Sequence, residues 1–241
     1  MFFCTIADMN QSQSMLRIYI LIIFVLITIT NHAQTRLADI DTNRIKQRSI
    51  RTYLKNQIEK GIVNFEDFRP SVNEQTDSIQ FNSYKSKFYL KQTPATAWKA
   101  YLTIHPAKIW QGKVISYGFI YSPNQKSIIF NDDSYPGLET GQVFFIEMRL
   151  LLGIVRVPIC MVVTEINTVK HEISFSYIDS GPSKGSQSIR LENNNNGTNI
   201  IHSSIHKTSH VLRDKIFYPI YHRKAISEVH RNIKKMIGII D

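Results

Sequence analysis

The last stretch of the chain, Leu212 to Ile240, constrains the fold more than any other part of it. Apolar residues stand at Leu212, Ile216, Phe217, Ile220, Tyr221, Ile226, Val229, Ile233, Met236, Ile237 and Ile240. Spacings of three and four predict one amphipathic helix with a single buried stripe. At 1.5 Å per residue that helix is roughly 40 Å long, so the stripe needs a large partner surface. Pro219 falls inside the stripe, where the missing N–H predicts a bend after the first turns.

The segments ahead of it supply the partner. Ser78–Lys91 alternates as a strand; Thr93 then caps and Pro94 opens a helix that runs to Ile104 and stops at Pro106. Lys113–Ile120 and Ser127–Phe130 read as short strands, and Asn131–Gly141 as a turn-rich loop. Gln142–Leu151, Val155–Ile166, Glu172–Asp179, Ser186–Glu192 and Thr198–His210 follow as strands, the last two a hairpin across Asn193–Asn196 and Gly197. Upstream, Asp41–Lys60 predicts a helix with Ile50, Tyr53, Leu54 and Ile58 on one face and Gly61 at its end. That apolar face is expected to pack on the domain; the other reading is a surface-binding arm. Phe65–Thr76 reads as a polar connection.

The net charge of +10 is local. Arg36–Lys60 and Leu212–Asp241 each carry seven Lys/Arg against three Asp/Glu, and the rest is nearly balanced. Two basic helices suit a solvated face, with weak contact to an anionic membrane surface as the other option. No zinc spacing, helix-turn-helix or Arg/Lys-aromatic ladder accompanies the charge, so nucleic acid is not expected. Met15–Ala33 has the form of a secretory signal: Arg17, the apolar run Ile18–Ile29, and a small residue before Gln34. Met15 would be the more usual start. Residues 1–33 are therefore expected to be removed on export to a periplasmic or secreted location, leaving 34–77 as helix and linker and 78–241 as the main domain. Cys160 would then be the only cysteine of the mature, monomeric product, with no intrachain disulfide possible.

Candidate chemistry is sparse. His202, His206 and His210 share one strand face at spacings of four, but ~13 Å separates neighbours of that kind, too far to share a zinc ion. They are expected on the outer face of the sheet. Asp132 and Asp133 lack further ligands at a metal-binding spacing, and Cys160 among Ile159, Met161 and Val162 reads as a buried apolar residue. Ser203, His206 and Asp214 have no G-x-S-x-G elbow to support a hydrolase. No catalytic residue, metal or cofactor is expected.

A strand, a Thr-Pro-initiated helix, an antiparallel meander and one long final helix follow the order of the helix-grip fold. The residues that carry this are Tyr89–Leu102, the hairpin Ser188–Ile205 and the final helix. From about Ile79 to Ile237 the chain resembles the START-like superfamily (SRPBCC), which includes polyketide cyclases and lipid-transfer domains. The resemblance implies an α+β fold in which a curved antiparallel sheet wraps the C-terminal helix, with an N-terminal helix added. It also implies a cavity between sheet and helix for a hydrophobic small molecule or lipid. Periodicity nominates Phe144, Ile146, Met148, Ile173, Phe175, Tyr177, Ile201, Ile205, Phe217, Ile220 and Tyr221 as lining, together with Ser203. A non-catalytic binding protein is the leading expectation. The alternatives are a polyketide-cyclase-type enzyme using Tyr177, Ser203 and Tyr221, or an envelope protein docking through its basic helices.

Overall fold

The computed structural model describes residues 35–72, 81–208 and 217–240. The signal-like stretch, Ile79, His210, Leu212 and Ile216 lie outside the described residues. The chain divides into Met1–Gln34 and Thr35–Asp241, and all the described residues belong to the second unit.

Eight strands form one antiparallel sheet: β1 (Asn82–Leu90), β2 (Ile115–Ser122), β3 (Ser127–Ile129), β4 (Val143–Leu150), β5 (Val155–Asn167), β6 (Glu172–Tyr177), β7 (Ser183–Asn194) and β8 (Gly197–Thr208). Their order across the sheet is β1-β8-β7-β6-β5-β4-β2-β3. The helices are α1 (Arg48–Glu59), α2 (Pro94–Thr103), the single turn α3 (Pro106–Ile109) and α4 (Tyr218–Ile240). This is the helix-grip arrangement: a curved sheet holding the C-terminal helix, with an N-terminal helix added.

Local chemistry explains several boundaries. The Thr93 side chain accepts from the Thr96 N–H, and Pro94 occupies the first turn of α2, where its missing N–H costs nothing. Pro106 both ends that helix and opens α3, which the His105 ring caps by accepting from the Ala107 N–H. Pro219 lies in the first turn of α4, so the bend expected there gives way to an ordinary N-terminal proline. The N-terminal helix is shorter than the sequence suggests. Asp41 caps a separate 3-10 turn, Thr42–Arg44, before α1 begins, and Gly61, at φ 87°, closes it.

Over β2, β4 and β5 both faces of the sheet are covered. On the helix face, Ala225, Val229, Ile233 and Ile237 of α4 pack with Phe144, Ile146, Met161, Ile173 and Phe175. On the outer face, Leu37, Ile45, Ile50, Leu54, Phe65 and Phe68 pack on Phe119, Tyr121, Phe145, Cys160 and Val162. The expected polar connection after α1 is therefore part of a core: Phe65 stacks on Tyr121 with centroids 4.9 Å apart. Sandwiched strands lose their alternation, which is why all eight residues of β2 are buried. Asp132 and Asp133 serve this attachment. They hold the Arg44 guanidinium at 2.6 and 2.7 Å, and its hydrogen bonds keep both carboxyls below the usual range.

Candidate functional site

Among the described residues, aromatic side chains fill much of the space between sheet and helix. Its void measures about 30 Å³, lined by Tyr101, Trp110, Phe144, Ile173, Phe175, Val229 and Ile233 among others. That admits a water or two and no lipid. The aromatic side chains are Trp110, Phe144 and Phe175, with ring centroids 5.8 to 6.3 Å apart in tilted and edge-on contacts.

Toward β1 the same layer changes character. His202 and His206 of β8 point at α4, where His222 and His230 meet them, and all four are buried. His202 Nδ1 lies 3.0 Å from His230 Nε2, and His230 Nδ1 lies 2.6 Å from the Tyr101 hydroxyl. The Gln187 amide oxygen sits 3.0 Å from His202 Nε2 and 3.2 Å from His222 Nε2. Its nitrogen donates to the Tyr177 hydroxyl, itself 3.2 Å from that of Tyr218. The His206 ring stacks on Tyr218 at 3.4 Å, and Tyr218 on His222 at 4.8 Å.

An amide oxygen only accepts, so in this arrangement His202 and His222 are both Nε2–H tautomers. His202 Nδ1 then accepts from His230, and His230 Nδ1 accepts from the Tyr101 O–H. His202, His222 and His230 are neutral in it. Burial, then the charge of neighbouring imidazoles, holds His202 well below its ordinary value; the same causes push His222 down to about 4 and His230 to about 3. Burial raises the Tyr101 and Tyr218 phenols well above theirs.

His222 connects this network to an open groove of about 2020 Å³. The groove lies between the edge strand β1 and the far ends of β2, β4 and β5, with the first half of α4 as its floor. Tyr84, Phe88, Pro219, Ile220 and Tyr221 give it apolar surface. Eight Lys and Arg side chains line it. Arg149 and Arg156 share the buried Glu147, whereas Lys85, Lys87, Lys113, Arg223, Lys224 and Arg231 form no ion pair with the described residues. The one acid in the lining, Glu228, accepts the backbone N–H groups of Lys113, Val114 and Ile115 at 2.9 to 3.2 Å. Among the described residues, no group of three or more His, Cys, Asp or Glu is arranged to hold a metal ion.

The residues nominated from sequence fall into three places. Phe144, Ile146, Met148, Ile173, Phe175 and Tyr177 face the helix, the first five in the apolar layer and Tyr177 in the polar network. Phe217, Ile220 and Tyr221 sit at the start of α4; the last two border the groove, and the Tyr221 hydroxyl accepts from the Leu151 N–H at 2.8 Å. Ile201, Ser203 and Ile205 occupy the other face of β8, because the alternate positions Ile200, His202, Ser204 and His206 are the ones turned inward. His202 and His206 thus point at the helix rather than outward. Tyr177, Ser203 and Tyr221 do not converge. Cys160 is buried in the outer-face core, and burial raises its thiol well above the ordinary value.

No protein-family model matches the chain, and no curated protein matches it. Solved structures do. Major latex-like protein 151 from Panax ginseng is 10% identical over 65% of this chain and 97% of its own, with a TM-score of 0.48. A norcoclaurine synthase point mutant from Thalictrum, in complex with a transition-state analogue, is 10% identical over 65% and 94%, at 0.47. An AHSA1-like protein from Aeromonas hydrophila is 14% identical over 66% and 94%, at 0.41. The helix-grip fold of the present chain rests on its own strand order and the seat of α4.

Proposed function

We propose that this chain is an exported, non-catalytic binding protein for an amphiphile with an anionic head, held in the groove between β1 and α4. The observation that carries the reading is the pairing of an apolar floor with six cationic side chains that form no ion pair with the described residues. A solvent-exposed positive rim beside Phe88, Tyr84 and Ile220 complements an acidic head group on a hydrocarbon body. Among the described strands β1 stands at the end of the sheet, where its outer edge adds backbone donors and acceptors. His222, neutral at pH 7, offers its second ring nitrogen to a ligand hydroxyl. The interior void is far too small to compete as the site. Removal of residues 1–33 is part of this proposal and follows from the signal-like pattern alone.

Calorimetric titration tests the reading with a single-chain alkyl phosphate and the neutral alkyl glucoside of equal chain length. The phosphate is expected to bind at least about tenfold more tightly, the margin that two favourable Lys or Arg contacts at a surface provide. Reversing two of those charges (Lys85→Glu with Lys224→Glu) should remove the preference. Equal affinity of wild-type protein for both ligands rejects the proposal.

A further inference from the structure

The turn joining β4 to β5 has the wrong residues for water. Leu151 and Leu152 both adopt left-handed backbone, at φ 49° and 58°, a region that hairpin turns usually give to Asn, Asp or Gly. The outcome is an apolar tip: Leu152 is fully exposed at 105%, Ile154 is 83% exposed, and Leu151 and Val155 are more than 40% exposed. The tip is held in place from behind, since the Leu151 N–H donates to the Tyr221 hydroxyl at 2.8 Å. Directly behind it, Arg149 and Arg156 face each other across the two strands, and Lys224 lies 5.5 Å over the Tyr221 ring. Apolar tip, tyrosine and arginine pair, in that order, match the layers of a bilayer surface: acyl boundary, interface and phosphate plane.

We propose that the Leu151–Ile154 turn inserts into a membrane leaflet containing anionic lipid, with Arg149, Arg156 and Lys224 at the phosphates. Charge selects this occupant over others. A second copy of a chain carrying +10 would bring like charge to the same rim. Docking requires no ligand in the groove, although Leu152, Ile154 and Lys224 line it as well; the probe separates the two proposals, vesicles for this one and monomeric alkyl phosphate for the preceding one. It differs from docking through the basic face of α1, because that helix packs on the outer face of the sheet.

The test uses the full chain and sedimentation with vesicles of phosphatidylcholine, with and without phosphatidylglycerol. Binding is expected only to the anionic vesicles and is expected to weaken as salt rises. Leu152→Asn with Ile154→Asn adds no charge and alters only exposed side chains; it should weaken vesicle binding at least about tenfold while leaving the urea unfolding midpoint unchanged. In a Leu152→Trp variant, brominated acyl chains should quench the new fluorescence, which contact through surface charge alone would not do. Binding that survives the double Asn change, equal binding to neutral vesicles, binding to neither, or an unquenched Trp each overturns the proposal.

Discussion

The two faces of this sheet are stabilised by different chemistry. On the outer face, Phe119 and Phe145 stack at 4.4 Å and Phe65 fits edge-on to both, a core that works by removing apolar area from water. On the helix face, the half near β2, β4 and β6 is equally dry. The half near β1, β8 and β7 instead buries four histidines, Gln187 and three tyrosines. A buried polar group costs free energy unless it is partnered, and a network of them is stable only when each donor meets an acceptor. The first kind of core specifies structure and holds no imidazole to titrate. The second ties one position of α4 to one register of β8, and it depends on His202, His222 and His230 staying neutral.

Acid should separate the two most strongly. Unfolded histidines take up protons near pH 6.5, whereas His222 resists until about 4 and His230 until about 3. Between those values the unfolded chain binds more protons, so stability must fall as pH falls. From pH 7.5 to 4.5 these two residues account for a loss of about 5 kcal/mol, with His202 adding in the same direction. Urea unfolding across that range measures it, and His222→Asn with His230→Gln should flatten most of the slope. A slope unchanged in that variant would place the acid sensitivity elsewhere.

The outer face should respond to volume and not to pH. Phe145→Ala removes a fully buried ring that meets Tyr53, Phe65, Phe68 and Phe119, and should cost about 4 kcal/mol. The same loss should be found at pH 7.5 and at pH 5.5, with alkyl phosphate affinity unchanged at the higher pH. A loss that grew in acid would blur the distinction between the faces.

How much of this could be read in the sequence varies with the element. The α4 stripe, the Thr93-Pro94 start and the run of strands were legible because periodicity and capping act locally. The face of β8 was not. Ile201 and Ile205 are its apolar pair, and the rule that apolar residues point inward selects them, yet the strand turns His202, Ser204 and His206 to the helix. Alternation fixes which residues share a face but not which face is buried, and here partners on α4 reverse the ordinary choice. A signal was present. His222, Ile226 and His230 follow one another at spacings of four within the apolar stripe of α4, as His202 and His206 do on β8, which marks imidazoles that travel with a buried face. Phe65 and Phe68 were missed for a related reason: nothing local shows that β2, β4 and β5 have a second face to cover. The groove is made by four segments spread between Tyr84 and Arg231, so no single motif could announce it.

The central claim is that ligand enters the groove and leaves the enclosed core shut, and chemical-shift mapping during titration with an alkyl phosphate tests it most directly. The structure predicts backbone shifts along Tyr84–Phe88 and Tyr221–Ser227, with His222 moving most among the imidazoles and Trp110, Phe175 and Ile189 staying still. Shifts concentrated at Trp110, Phe175 and Ile189 would mean that the aromatic layer opens to admit the ligand, and would contradict the account.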